Sequence, residues 1–321
     1  MSAIRLFSIR HALFVAAFSA LGAGCVAPLI AQEIPVEGPI ATTALINVES
    51  KKEVPLDAAM LTLDVNGHAT PIQSVMPVRP QTAQVAILID DGLRGTFGLQ
   101  IKDLTAFLNS LPPGMQVMVG YMRNGTVAAA SEGGFTADHA AVAEALHITT
   151  SIPGINASPY FCLSEFVKHW PSQQPAARFV LMLTNGVDPY NGSTSIMNQD
   201  SPYVTTAQED AERNGVAVYS IYFGDAGMRG ARASNSGQSY LFQVAAATGA
   251  DSFYEGQGSP IALAPYLDDF RKHISESYTV SFMTNASHEK ADTLERIKLK
   301  TGQSGVKIHA PDAVHPGVNL E

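Results

Sequence analysis

Two short loops concentrate the side chains that could hold a ligand. Asp90-Asp91-Gly92-Leu93-Arg94 follows the apolar run 85–89, and Leu183-Thr184-Asn185-Gly186-Val187-Asp188 closes the apolar run 179–183. Runs that are apolar without alternation suit central parallel strands, whose two faces are both covered. Open α/β sheets bind their ligands at the carboxyl ends of such strands. Asp90, Asp91, Thr184, Asn185 and Asp188 are therefore candidate ligand contacts, with the polar segment 149–158, including Asn156, as a third wall. The loop 185–201 is long and polar and carries Tyr190 and Met197, with Tyr203 just beyond it; the loop 224–237 supplies Arg229 and Arg232. Long loops on a rigid scaffold are where recognition residues collect.

Other chemistries find little support. Gly92, Gly95 and Gly98 open a helix after a strand, but their G-x-x-G-x-x-G spacing is not the dinucleotide fingerprint, and no P-loop lysine follows. Cys162 sits in an apolar helical run with Phe161, Leu163 and Phe166 and reads as a packed thiol. The nine histidines lack metal-ligand spacing, and His169 reads as a helix-terminus residue. No G-x-S-x-G, H-E-x-x-H or paired-carboxylate motif is present.

The elements that position these loops follow from periodicity. Helical spacing marks residues 97–111, 137–147, 159–170, 202–214, 238–248 and 261–275. Strands are predicted at 85–89, 116–123, 126–130, 179–183, 216–223 and 251–254, with Asn124-Gly125 turning a tight hairpin. Strands alternating with helices predict a doubly wound, mostly parallel, Rossmann-type sheet over residues 83–275. Further β signals lie on either side, at 44–48, 60–65 and 69–75, and at 278–283, 296–300 and 306–309. Neither flank can bury a face alone. Segments 41–82 and 276–321 are therefore expected to pair into one small split β domain.

Hydrophobic residues make up 46% of the 321 and charged residues 15%, which supplies a core and argues against disorder. A net charge of -9 argues against a nucleic-acid partner. Residues 1–31 read as a signal peptide: Arg5 and Arg10 precede an apolar run, 12–23, with cleavage expected after Ala31. Residues 32–40 read as a linker. The chain is thus expected beyond the cytoplasmic membrane, periplasmic or secreted. It would touch the membrane only if Cys25, in a lipobox-like Leu21-Gly22-Ala23-Gly24-Cys25, is lipidated.

An apolar strand ending in Asp, a helix, a hairpin, then an apolar strand ending in Leu-Thr-Asn-Gly resembles the von Willebrand factor A domain over 84–275. The flanks are similar to those of a bacterial, acidobacterial-type group of that family, through Asp64-Val65-Asn66-Gly67-His68-Ala69-Thr70-Pro71-Ile72 and the strand run 278–310. The resemblance implies a metal-ion-dependent adhesion site of Asp-x-Ser-x-Ser, a Thr and an Asp. Asp90 matches the first Asp, but Gly92 and Arg94 stand at the two Ser positions, Asn156 near the Thr and Asn185 at the last Asp. Asp90 is accordingly expected to cap the following helix or to pair with Arg94, whose cation would replace the ion. No cofactor is expected; Mg²⁺ is the one ion the resemblance allows. The function implied is a non-catalytic binding or scaffold protein with an unidentified protein or cell-envelope ligand. The alternative is an exported hydrolase with its site on the same edge.

Overall fold

The computed structural model describes residues 38–51, 55–151, 158–188, 201–224, 230–253, 258–286 and 292–321. Its central sheet contains β5 (Ala83–Asp90), β6 (Gln116–Arg123), β7 (Thr126–Ala129), β8 (Ala177–Thr184), β9 (Val216–Tyr222) and β10 (Ser252–Phe253). They run in the order β10-β9-β8-β5-β6-β7. All neighbours are parallel except β6 and β7. That pair turns through Asn124 and Gly125, both at positive φ, as a two-residue hairpin requires.

Alternate residues of β5 feed two separate cores, which is why its sequence is apolar throughout. Val85, Ile87 and Ile89 pack with α1 (Ile101–Ser110), α2 (His139–Glu144) and α6 (Ala264–Ser275) through Leu104, Leu108, Val142, Leu267 and Phe270. Ala86 and Leu88 face α3 (Pro159–Lys168), α4 (Pro202–Arg213) and α5 (Gly230–Ala247) through Leu163, Val167, Val204, Ala207 and Val244.

The flanks build two four-stranded antiparallel sheets. They use β1 (Gly38–Ser50), β2 (Leu61–Val65), β3 (His68–Thr70), β4 (Ile72–Pro77), β11 (Ser277–Ala286), β12 (Glu295–Thr301), β13 (Val306–His309) and β14 (Ala313–Val314). The orders are β13-β1-β11-β4 and β14-β12-β2-β3, so each sheet mixes strands from both flanks. β1 pairs with β11 from Gly38↔Ala286 to Asn47↔Ser277. The sheets bury each other's inner faces: Ile46, Val280 and Phe282 from one meet Leu61, Leu63, Ile297 and Leu299 from the other. In β12 the alternation is plain, with Ile297 and Leu299 buried between exposed Arg296, Lys298 and Lys300.

The small split β domain expected from the two flanks takes the form of a two-sheet sandwich, because a single sheet would leave Val280 and Phe282 facing water. The C-terminal tail fastens it to the core. Val318 O accepts from Thr43 N at 2.8 Å, Thr42 Oγ1 accepts from Gly317 N at 2.9 Å, and Leu320 is buried.

Among the boundaries that differ from the sequence reading, three bear on the placement of residues named above. β1 begins at Gly38, inside the stretch read as linker. Residues 95–100 are 3₁₀ and α1 follows them. α5 begins at Gly230, so Arg232 lies on a helix and not in a loop. The signal peptide, Cys25, Asn156, Tyr190, Met197 and Arg229 lie outside the described residues. Among the described residues no helix is long and apolar enough to cross a membrane.

Candidate functional site

β5 and β8 are register partners up to Ile89↔Leu183, so Asp90 and Thr184 emerge side by side at the carboxyl edge. Asp90 is buried, and both its oxygens are engaged. Oδ2 accepts from Thr184 Oγ1 at 2.7 Å and Oδ1 from Gly92 N at 2.8 Å. Gly92, which has no side chain to offer, supplies its backbone instead. Thr184 Oγ1 in turn accepts from Gly186 N at 3.1 Å, and Asn185 Oδ1 accepts from Val187 N at 2.9 Å. The 184–187 loop is thus wound around its own side chains.

A helix clamps that loop from behind. Tyr160 of α3 is fully buried and its hydroxyl donates to Gly186 O at 2.8 Å. Burial pushes its pKa well above the ordinary value, with Asp188 and Tyr240 adding. Gly186 has φ +65, and a Cβ there would stand 2.4 Å from Gly237 O on α5; one on Gly237 would stand 2.2 Å from Asn185 O. The backbones touch because neither residue has a side chain. Asp188 is buried and accepts from Ser201 Oγ, which joins this loop to the start of α4.

Asp91 ties the neighbouring loop to the same edge. Its oxygens accept from Thr150 N at 2.7 Å, Ser151 Oγ at 2.6 Å and Thr150 Oγ1 at 3.2 Å, with Arg123 Nε 3.7 Å away. Burial alone would raise the carboxyl, but these hydrogen bonds and the Arg123 charge hold it below the ordinary range. Thr149 Oγ1 adds a bond to Leu93 O at 2.9 Å.

Arg94 is exposed. Thr184 Oγ1 and Gly92 N supply neutral donors to Asp90, and Arg123 places a cation beside Asp91. Arg94 caps the 3₁₀ turn through its backbone, its O accepting from Phe97 N at 2.9 Å. Arg123, Thr150, Ser151, Tyr160 and Ser201 were not singled out by sequence. Only Thr150 and Ser151 carried a signal, by lying in the polar segment 149–158. Cys162 is buried and burial pushes its thiol up to about 11, as suits a packing residue. His169 closes α3, its Nδ1 2.9 Å from Glu165 O.

Large apolar side chains rim the edge. Phe161 and Tyr203, in the first turns of α3 and α4, meet edge to face at 6.3 Å and are both exposed. Leu99, Ile148 and Ile261 are exposed on the other side, where Ile148 packs over Gly98 and Gln100 Nε2 holds Ile261 O at 3.2 Å.

A parallel sheet with three helices on each face and one antiparallel hairpin strand at its edge is the von Willebrand A-type fold. No protein-family model matches the sequence, and no curated protein matches it. Solved structures do. A von Willebrand factor type A protein from Catenulispora acidiphila has 12% identity and TM-score 0.43, over 88% of this chain and 74% of that one. BatB from Bacteroides thetaiotaomicron has 11% identity and TM-score 0.40, over 60% of this chain and 97% of that one. The SpRpn10 VWA domain has 13% identity and TM-score 0.37, over 59% of this chain and 95% of that one.

Proposed function

We propose that the chain is an exported, non-catalytic binding or scaffold protein that meets a protein or cell-envelope ligand at its carboxyl edge without metal. The carrying observation is that the edge is held by its own hydrogen bonds. Both Asp90 oxygens and the Asn185 amide oxygen are already accepting, and Gly92 and Arg94 bring no side-chain oxygen. Mg²⁺ demands a near-complete octahedron of oxygens. Among the described residues no group of three Asp, Glu, His or Cys could hold a metal ion. The donor set therefore fits the ion poorly.

A frame that needs no ion leaves recognition to its rim. Exposed aromatics beside an arginine are what protein interfaces favour, and here Phe161 and Tyr203 accompany Arg123. The hydrolase reading needs a hydroxyl activated by a base. The hydroxyls of Thr184, Ser151 and Ser201 each donate to a carboxylate that ties loops together. The test is retention of the full chain on envelope fractions of its own cells. We expect retention to survive EDTA and to fall at least about tenfold in Phe161→Ala/Tyr203→Ala, the loss typical of central aromatic anchors. Loss with EDTA, or full retention by the double variant, would refute the proposal.

A further inference from the structure

At the end of the sheet opposite the candidate site, a buried carboxyl lies beneath the C-terminal segment. Glu212 belongs to the last turn of α4 and is 8% exposed. Its Oε1 accepts from Ala313 N at 3.0 Å. The same few residues join the α/β core to the sandwich. Asp312 N donates to Ala247 O at 2.8 Å, Ile297 N donates to Asp312 O at 3.0 Å, and Thr248 bridges Pro311. Contact is so close that a Cβ on Gly249 would stand 2.6 Å from the Ala310 carbonyl carbon. Residues 310–314 thus form a strap gripped by α4, by the end of α5 and by β12.

The charges around Glu212 are unfavourable to a carboxylate. Asp312 on the strap and Glu209 on α4 both act on it with negative charge. Arg213, the cation that acts on it among the described residues, is committed elsewhere: to Asp210 Oδ1 at 3.1 Å and Asp292 Oδ1 at 2.8 Å. Arg296 of β12 acts on Asp312. None of the other residues lining the small cavity beside Glu212 is ionisable; they include Leu45, Val216 and Thr248 of the β1 and core side and Pro311 and Val314 of the strap.

We infer that Glu212 is a protonation latch: carrying its proton it seats strap 310–314 between core and sandwich, and losing it loosens the strap. Burial, with Asp312 and Glu209 adding, outweighs the Ala313 N–H, which favours the carboxylate, and pushes the Glu212 carboxyl from 4.5 up to about 8. A folded value above the unfolded one means stability present in full at pH below 4.5 and lost as pH rises towards 8. The strap should therefore be tightest in acid.

Amide exchange of the full chain over 306–321, corrected for intrinsic rates, reads the opening constant. We expect it to rise by up to about tenfold per pH unit above about pH 5 and to level off near pH 8, while strand 83–90 holds its protection. Glu212→Gln, which keeps the acceptor for Ala313 N, should flatten the profile. Asp312→Asn, which removes a repelling charge, should move the levelling point to lower pH. A flat wild-type profile, an unchanged slope in Glu212→Gln, or an unmoved levelling point in Asp312→Asn would each overturn the inference.

Discussion

Asp90 and Asp91 are neighbours in sequence with different tasks. Asp90 fastens strand ends β5 and β8 through Thr184, while Asp91 fastens the 149–151 loop. Asp91→Asn should cost about 1–3 kcal/mol at neutral pH, the scale of hydrogen bonds to a charged group. The sign with pH follows from its lowered carboxyl. The contribution is present above the unfolded value of 3.8 and is lost as pH falls through the lower folded value. Urea melts of wild type and Asp91→Asn should therefore converge as pH is taken below 3.8, and a constant gap would contradict this. Arg94→Ala should change stability by under about 1 kcal/mol, since the residue is exposed. Asp90 and Thr184 were legible in the sequence because each ends an apolar run. The Arg123–Asp91 approach was not, since it joins the ends of two strands with a whole helix between them.

Among the elements, the contact of α5 with the 184–187 loop is the tightest at the edge. Gly237→Ala would drive a methyl into Asn185 O and the Gly186 carbonyl carbon. It should destabilise the chain by about 1–3 kcal/mol, the usual range for overpacking. The effect should also appear as faster amide exchange over 183–188; unchanged exchange there would show that the loop is not clamped. The strands of the central sheet were readable because burial on both faces leaves continuous apolar runs. The first two turns of α5 were not, since 230–237 is small and polar and carries no apolar stripe. The sandwich was half legible. Alternation in 60–65 and 296–300 marked strands, but the crossing of both flanks between two sheets depends on pairing partners more than two hundred residues apart.

In the whole molecule, core and sandwich share buried surface. Leu45 of β1 and Leu320 of the tail belong to the same apolar cluster as Phe107, Phe179 and Tyr219 of the α/β core. The described part of 35–321 forms one compact unit. Unfolding should accordingly be a single transition with equal calorimetric and van't Hoff enthalpies. Leu320→Ala should lower its stability by about 2–4 kcal/mol, as core truncations do, without splitting it in two. Two resolved transitions would mean that the sandwich folds apart from the core. The proposed carboxyl edge needs no ion. Calorimetric titration of the full chain with Mg²⁺ and Mn²⁺ tests this most directly. No tight site is expected, and Asp90→Ala should give the same trace. A micromolar dissociation constant, about −8 kcal/mol, that disappears in Asp90→Ala would contradict it.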